Sequence, residues 1–336
     1  MKKYNVAIVG ATGAVGHELL KVLAERNFPV GELRLLASQR SAGKTMEYQG
    51  KEYTIGLTDE NAFDGIDIAL FAGGSASTEF ADAAVKAGAV VIDNSSAFRL
   101  DPDVPLVVPE VNPEDVDWHK GIIANPNCST IIMAVALKPL HDAARIKRVV
   151  VSTYQAVSGA GKEGITELTE QTGQVLRGEA VDPTVFAHPI AFNLIPHIDV
   201  FQEGDYTKEE WKMIKETRKI MHEPDMAITA TTVRVPVYRS HSESINIEFD
   251  QKISADEAKK VLAEAPGVII IDDIQNKQYP MPLYTSDKDE VFIGRIREDL
   301  SIEKGLNLWV VADQIRKGAA TNAIQIAEVL IQRNCI

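Results

Sequence analysis

The stretch NVAIVGATGAVG, residues 5–16, contains the pattern that decides the fold. Its apolar first half predicts a strand that leads into Gly10, Gly13 and Gly16, where a helix over about residues 14–25 begins. Glycines here permit a tight turn and let the backbone approach a pyrophosphate, which the helix N-terminus attracts. The spacing G-x-x-G-x-x-G differs from the common G-x-G-x-x-G, so the flanking strand and helix support the interpretation. A glycine-rich connection without a ligand is the alternative.

Short apolar strands continue to alternate with helices through the first third of the chain. Strands are predicted at residues 33–36, 67–71 and 90–92, and a helix at 78–87. This alternation predicts right-handed βαβ units and a parallel sheet covered on both faces. From about residue 146 longer strands cluster with fewer helices. We therefore predict an α/β protein with a Rossmann-type parallel-sheet domain and an α+β catalytic and dimerisation domain with a mixed sheet.

The length of 336 residues fits two domains. We place an NADP-binding domain at residues 1–127 and a catalytic domain at 128–317, and we expect the C-terminal helix, within 318–336, to pack back on the first domain. The second domain has strands predicted at 149–155, 228–237, 244–249, 291–296 and 306–312, and a charged amphipathic helix at 208–221.

The charge balance limits the partners of the protein. Thirty-five basic and 48 acidic residues give a net charge of −13, which disfavours nucleic acid or an anionic membrane. Anionic ligands would then need locally gathered arginines and lysines. The two cysteines do not form a disulfide scaffold, and no apolar run approaches the roughly 20 residues of a membrane span. We expect a cytoplasmic enzyme with a small-molecule substrate and no metal site.

The segment after the second strand indicates which dinucleotide binds. An NAD enzyme would place an acidic residue there to hold the ribose 2′-hydroxyl. Residues 37–44 contain no acid, whereas Arg40 and Ser41 offer a cation and a hydroxyl to a 2′-phosphate. This favours NADP. A solvated surface loop is the alternative interpretation.

Cys128 follows Asn125-Pro126-Asn127 and precedes a long apolar segment. Proline is excluded from helix interiors, so the helix should begin just beyond Pro126 and place Cys128 in its first turn. There the helix dipole and unpaired N–H groups should lower the pKa of the thiol and favour a nucleophilic thiolate. A buried structural cysteine is the alternative.

His241 is the candidate base among the seven histidines. We interpret Arg239-Ser240-His241-Ser242-Glu243 as a polar loop between two strands, seven positions after Arg234. Thiolate chemistry beside a nicotinamide needs a group that takes the thiol proton, or one that manages the proton of a hemithioacetal hydroxyl. The sequence leaves both roles open.

Several motifs together resemble those of the aspartate-semialdehyde dehydrogenases, and of their bacterial branch in particular. Beyond the glycine motif they span nearly the whole chain: Ser38–Lys44, Ser95–Arg99, Asn125–Cys128, Tyr154–Gly161, Arg234–Val237 and His241–Ser244. Several blocks in the same order are far more specific than any one of them.

The resemblance implies an activity. Such enzymes reduce aspartyl phosphate to aspartate semialdehyde with NADPH and release phosphate, on the route to lysine, methionine and threonine. The reverse reaction oxidises the aldehyde and takes up phosphate through a hemithioacetal and an acyl-thioester on the cysteine. A homodimer built through the second domain is also implied.

The resemblance assigns roles to individual residues. Cys128 is the nucleophile, His241 the acid/base and Gln155 the residue that orients the substrate carbonyl or thioester. The implied cofactor contacts are Gly10, Thr12, Gly13, Ala14, Val15, Gly16, Ser38, Arg40, Ser41, Ser158, Gly159 and Gln314.

A further implied set binds substrate. Arg234 should hold the α-carboxylate as a bidentate fork, and Arg99 and Lys219 should hold the phosphate. Glu216 should meet the substrate ammonium, and Asn127 belongs to the same site. For Glu216 and Lys219 an ion pair on a solvated helix is the alternative, because they are three residues apart.

Two other functions remain to be weighed. N-acetyl-γ-glutamyl-phosphate reductase shares the Rossmann domain, the cysteine and the acyl phosphate, but its acylated substrate nitrogen would make little use of an acid such as Glu216. A non-catalytic dinucleotide-binding paralogue would need none of Cys128, Gln155, Arg234 and His241. Each alternative therefore leaves some of these residues without a role.

We predict that Arg40→Ala weakens NADP binding far more than NAD binding, by on the order of 10-fold or more, because only NADP carries the 2′-phosphate that the guanidinium would hold. Dissociation constants of both dinucleotides, measured by fluorescence titration, test this. Equal losses for the two would move the 2′-phosphate contact to another residue.

Overall fold

The apolar segment at the start of the chain forms strand β1 (Tyr4–Val9), which lies inside a six-stranded parallel sheet. The computed structural model describes residues 2–336, and this sheet belongs to the first of two units, which contains residues up to Asn127 and Gly318–Ile336. The other strands of the unit are β2 (Val30–Ala37), β3 (Thr45–Tyr48), β4 (Lys51–Thr54), β5 (Gly56–Leu57), β6 (Ile68–Phe71), β7 (Val90–Asp93) and β8 (Ile122–Ala124). The sheet has the order β5-β2-β1-β6-β7-β8, while β3 and β4 form an antiparallel hairpin.

Helices cover both faces of this sheet. Ile8 packs in an apolar cluster with α1 (Ala14–Glu25) and with the C-terminal helix (Thr321–Gln332). Val9, the next residue, packs in a second cluster with α2 (Ala76–Lys86). Successive strand residues point to opposite faces, so the two clusters lie on the two sides of the sheet.

The second unit, Cys128–Lys317, contains a six-stranded mixed sheet. Its strands are β9 (Ile146–Gln155), β10 (Ala227–Arg234), β11 (His241–Phe249), β12 (Val268–Ile270), β13 (Val291–Glu298) and β14 (Gly305–Ala312), in the order β10-β9-β11-β14-β13-β12. The pairs at the two edges are parallel and the central pairs are antiparallel. The predicted fold class, with one parallel and one mixed sheet, is confirmed.

The helices of this unit are α3 (Cys128–Ala144), α4 (Lys162–Arg177), α5 (Lys208–Ile220), α6 (Ala255–Ala263) and the short α7 (Pro282–Thr285). Neither α4 nor α6 is among the helices predicted from the sequence. Among residues 2–336, no helix combines the length and apolar character needed to cross a bilayer.

The strand register brings functional side chains into rows across one face of the mixed sheet. Arg234 on β10 lies beside Gln155 on β9, and one row further in Thr153 lies between its neighbours Thr232 and Glu243. Because side chains alternate between faces, these two rows share one face. The row that contains Arg234 and Gln155 lies at the end of both strands.

The prediction that His241 lies in a polar loop is wrong. His241 is the first residue of β11 and is fully buried. The polar residues around it suggested a loop, but pairing with β9 and β14 extends the strand to this point.

Candidate active site

Cys128 is the first residue of α3, as the local sequence predicts. Strand β8 ends at Ala124, and Pro126 cannot occupy a helix interior, so the helix begins beyond it. The positive end of the helix dipole favours a thiolate at this position. Cys128 forms no disulfide and is partly exposed. A ligand can therefore reach its sulfur.

Arg234 provides a cation near this sulfur. Its Nη1 donates to the Ala156 carbonyl oxygen at 2.7 Å, and its guanidinium lies 5.8 Å from the centroid of the Phe186 ring. Burial lowers the pKa of Arg234, while the nearby Glu209 and Cys128 act in the opposite direction. Arginine nevertheless keeps its charge in proteins. Its remaining N–H groups form a fork suited to a carboxylate.

The imidazole of His241 is held in one tautomer. Its Nδ1 accepts a hydrogen bond from the Ala156 backbone N–H at 3.0 Å, so the neutral ring carries its proton on Nε2. Nε2 is buried and makes no hydrogen bond within residues 2–336. Burial, and then the charge of Arg234, lower the pKa of His241 well below its usual value. At neutral pH the ring is therefore an uncharged hydrogen-bond donor.

Gln155, the last residue of β9, is also held by hydrogen bonds. Its Nε2 donates to Ser129 Oγ at 2.7 Å and to Glu209 Oε1 at 3.3 Å. Both amide hydrogens are thereby used. Ser129 follows Cys128 on α3, so the amide is fixed directly beside the first turn of that helix.

One face of α5 carries four alternating charges: Glu209, Lys212, Glu216 and Lys219 are spaced by three, four and three residues. Lys212 Nζ lies 3.0 Å from Glu209 Oε2 and 2.9 Å from Asp199 Oδ2. Glu216 is only 1% exposed. Glu216 is therefore buried, whereas the alternative of an ion pair on a solvated helix would leave it exposed. Its contact with substrate stays a prediction.

The residues expected at the nicotinamide end of the cofactor lie next to Arg234 and His241. Gln314 Nε2 donates to Ser158 Oγ, and its Oε1 accepts from the Ser240 N–H at 2.8 Å. A Cβ added to Gly159 would lie 2.7 Å from Arg234 Nη1 and 3.4 Å from His241 Cε1. A side chain at position 159 would therefore have to displace the guanidinium of Arg234.

The first unit carries Arg99 and Asn127, two residues that the resemblance implies for substrate binding. Arg99 is 8% exposed and donates through Nε to the Asn125 carbonyl oxygen and through Nη2 to that of Asn94, at 2.9 and 2.8 Å. These two bonds fix the guanidinium. Asn127, which is buried, is the last residue of this unit.

The glycine motif forms a tight connection between β1 and α1. Gly10 has a φ of +82°, which favours glycine. A Cβ on Gly16 would lie 2.5 Å from the Gly10 carbonyl oxygen, so only glycine permits this close approach. Thr12, Gly13 and Ala14 are exposed, and Ala14 and Val15 open the helix, where backbone N–H groups can meet a pyrophosphate.

The loop after β2 contains the residues predicted to select the cofactor. Ser41 N–H and Ala42 N–H both bond to the Ser38 carbonyl oxygen, at 2.9 and 3.1 Å. The resulting turn leaves Arg40 exposed while Ser41 is buried. A cation therefore stands beyond the carboxyl end of β2, where a 2′-phosphate would be recognised.

Two domains of one known family match most of the chain. Residues 137–317 match the dimerisation domain of semialdehyde dehydrogenase, and residues 5–119 match its NAD binding domain. The aspartate-semialdehyde dehydrogenase of Aquifex aeolicus (strain VF5) is 63% identical over 338 residues, covering 99% of each chain. The chain belongs to the aspartate-semialdehyde dehydrogenase family. The resemblance seen in the sequence motifs is confirmed.

Solved structures of the aspartate-semialdehyde dehydrogenase family have the same fold. The crystal structure of aspartate semialdehyde dehydrogenase II from Vibrio cholerae, complexed with ASA, is 50% identical with a TM-score of 0.96 over 99% of each chain. The enzyme with NADP from Candida albicans is 26% identical with a TM-score of 0.78 over 100% of each chain.

Three residues at the site were missed by the sequence analysis. The backbone of Ala156 binds both His241 and Arg234, and the side chains of Ser129 and Glu209 hold Gln155. Ser129 and Ala156 directly follow predicted catalytic residues, which is the one signal that could have found them. Glu209 lies 54 positions from Gln155, and only the fold brings the two together.

Glu243 is a buried acid that the predicted roles do not use. It is fully buried, and neither carboxylate oxygen makes a hydrogen bond within the described residues. The Oγ1 of Thr153, its neighbour on β9, is equally without a partner in the same part of the chain. Burial raises the pKa of Glu243 well above its ordinary value, so the folded protein holds an uncharged carboxylic acid here.

We predict that Glu243→Gln stabilises the protein increasingly as the pH rises above about 4.3. Above that pH the unfolded chain ionises Glu243 while the folded chain keeps it protonated, so wild-type stability falls until the raised folded-state pKa is reached. The folding equilibrium constant should change by up to about tenfold per pH unit. Urea unfolding of both proteins between pH 5 and 8 measures the difference.

Glu248→Gln is the matched control, because Glu248 lies on the same strand and pairs with Lys147 at 2.6 Å near the surface. It should give no benefit that grows with pH. A stability difference for Glu243→Gln that stays constant across this range would contradict the uncharged state.

Proposed function

We propose that the protein is an NADP-dependent aspartate-semialdehyde dehydrogenase. It reduces aspartyl phosphate to aspartate semialdehyde and phosphate through a thioester on Cys128, in the biosynthesis of lysine, methionine and threonine. The observation that supports this most directly is the cluster around Cys128: a sulfur at a helix N-terminus, with Arg234 near it and an uncharged Nε2–H of His241 in the same unit. Family membership and the named activity of the Aquifex aeolicus relative agree with it.

The first chemical step is attack of the Cys128 thiolate on the acyl carbon. The C–O bond to phosphate breaks, the acyl group stays on sulfur as a thioester, and the released phosphate takes up a proton from solvent. The helix N-terminus and the charge of Arg234 favour the thiolate before substrate arrives.

In the second step the thioester is reduced. The nicotinamide end of the cofactor, which Ser158, Gly159 and Gln314 would hold, would supply the hydride that the thioester carbon accepts. The resulting alkoxide collapses to the aldehyde as the C–S bond breaks and the thiolate returns. In both steps negative charge develops on the former carbonyl oxygen, and an Nε2–H donor at His241 is suited to stabilise it. Of the two roles that the sequence left open, the Nδ1 bond from Ala156 favours management of this oxygen over removal of the thiol proton.

Charged side chains account for the recognition of an anionic substrate by an acidic protein. We assign Arg234 to the α-carboxylate, Arg99 and Lys219 to the phosphate, and Glu216 to the ammonium, with Asn127 in the same site. Support comes from the guanidinium of Arg234, whose remaining N–H groups are available, and from the fixed guanidinium of Arg99. The Vibrio cholerae relative, solved with ASA, has the same fold.

NADP is the proposed cofactor. The exposed Arg40 beside Ser41 supports a 2′-phosphate contact, and the fold is shared with the Candida albicans enzyme solved with NADP. We assign the pyrophosphate to the loop from Gly10 to Gly16, and the nicotinamide end to Ser158, Gly159 and Gln314.

We also propose a homodimer formed through the second unit. The family's dimerisation domain matches residues 137–317. Large apolar side chains of this unit are exposed in the single chain, among them Ile274, Leu283 and Phe192, and burial in a partner would remove them from water.

We predict that Cys128→Ala abolishes turnover while NADP binding stays nearly intact, because the variant lacks only the atom that forms the thioester. Loss should exceed about 1,000-fold. Cys335→Ala is the matched control and should keep wild-type activity. Mass spectrometry of the protein mixed with acyl phosphate should detect an acyl adduct on Cys128 alone.

Appreciable turnover by Cys128→Ala would contradict covalent catalysis. Assays with aspartate semialdehyde and with N-acetyl-glutamate semialdehyde, each with NADP and phosphate, test the substrate. A preference for the N-acetyl compound would overturn the assignment.

A further inference from the structure

An acid on the buried face of α4 holds the loop that follows this helix. Glu167 is 6% exposed, and its Oε2 accepts hydrogen bonds from the Thr184 N–H at 3.0 Å, the Thr184 hydroxyl at 2.9 Å and the Val185 N–H. Its Oε1 accepts from the Phe186 N–H at 3.4 Å. Three consecutive backbone donors of the loop are thus directed at one carboxylate.

Gln171, one turn further along α4, extends this contact. Its Nε2 donates to Glu167 Oε1 at 2.9 Å, and its Oε1 accepts from the N–H groups of Ile190 and Ala191 at 2.8 and 3.2 Å. Residues 179–194 form neither helix nor strand, so their backbone donors need other acceptors. The acid and the amide on α4 supply them.

The carboxylate of Glu167 is charged at neutral pH. Burial raises its pKa, but hydrogen bonds from Val185, Thr184 and Phe186 outweigh this effect and leave the pKa below its usual value. Hydrogen bonds to an ionised acceptor are stronger than those between neutral groups. Glu167 is therefore a strong anchor for the loop.

The anchored loop contacts Arg234 at two places. The centroid of the Phe186 ring lies 5.8 Å from the guanidinium, within the range of a cation–π contact. Further along, Ile195 and Arg234 exchange two backbone hydrogen bonds, at 2.8 and 3.0 Å. The ring itself lies against α4, because a Cβ on Gly164 would be 3.1 Å from Phe186 Cζ. The positions of the loop and of the guanidinium are thereby linked.

The guanidinium needs this support to act as a carboxylate fork. One N–H group of Arg234 donates to the Ala156 carbonyl oxygen, which restrains one end of the planar group. With that hydrogen bond alone, the group could rotate and turn its other donors away from a ligand. An aromatic ring held in place beside it restricts this rotation.

We propose that Glu167 is a positioning residue, which holds the loop so that the Phe186 ring keeps the Arg234 guanidinium oriented toward the substrate carboxylate. This inference rests on the proposed function, which assigns Arg234 to that carboxylate. The carboxylate stays bound before and during the reaction. Misplacing the guanidinium should therefore weaken substrate binding more than the chemical step.

Kinetics of Glu167→Gln and Phe186→Leu test the proposal. Gln presents an NH2 group in place of one acceptor, and Leu is apolar but has no aromatic face. In both variants KM for aspartate semialdehyde should rise about 5- to 20-fold, while kcat and KM for NADP change less than about threefold. Glu170→Gln is the matched control, because Glu170 is exposed on the same helix, and it should keep all three wild-type constants.

Alkylation of Cys128 reports the guanidinium without any turnover. Iodoacetate and iodoacetamide react with the same sulfur, but only iodoacetate carries a carboxylate. The ratio of their rate constants, measured by mass spectrometry of the Cys128 peptide, depends on the charge of Arg234 near the sulfur. This ratio should fall at least about fivefold in Glu167→Gln and in Phe186→Leu, and stay constant in Glu170→Gln.

Hydrogen exchange of residues 184–191 tests the anchor directly and should be faster in Glu167→Gln than in the wild type. Thr184→Val removes only one hydrogen bond to Glu167 and should lower the alkylation ratio about twofold, which tests the link even where Glu167→Gln does not fold.

The outcomes separate positioning from a general structural role. A loss confined to kcat, an alkylation ratio unchanged in Phe186→Leu or in Thr184→Val, or loop exchange unchanged in Glu167→Gln would each overturn the positioning role. Inactivity of the wild type on aspartate semialdehyde would overturn the proposed function alone, because the alkylation ratio does not depend on that activity.

Discussion

The backbone of Ala156 is the constraint on which the candidate catalytic cluster depends. Its N–H fixes the imidazole of His241 and its carbonyl oxygen fixes the guanidinium of Arg234. Both bonds exist only because β9 lies between β10 and β11 in one register. A slip of one residue would turn every side chain of a strand to the opposite face. The chemistry of the site is therefore specified by strand pairing in the mixed sheet.

Features with a local cause were predictable from the sequence. Pro126 determines where α3 begins, which places Cys128 at a helix N-terminus, and the glycines after β1 determine the first turn. Alternating strands and helices gave the parallel sheet. The order of motifs gave the family, which the comparisons confirm. Each inference needed only residues close together in the chain, or several motifs in order.

Features with a tertiary cause were not predictable. His241 was assigned to a loop because its neighbours are polar, yet pairing with two strands buries it at the start of β11. Glu209 was overlooked because nothing near it in the chain refers to Gln155. Polar side chains are exposed to solvent only on average. They can be buried where the protein itself supplies hydrogen-bond donors and acceptors.

The single tautomer of His241 has a consequence for the working range of the protein. A histidine usually changes charge between pH 5 and 8. Here burial and the charge of Arg234 both oppose an imidazolium, so the pKa of His241 lies well below its usual value. A fall in pH from neutrality to the ordinary histidine pKa would then leave the hydrogen-bond donor of the ring in place.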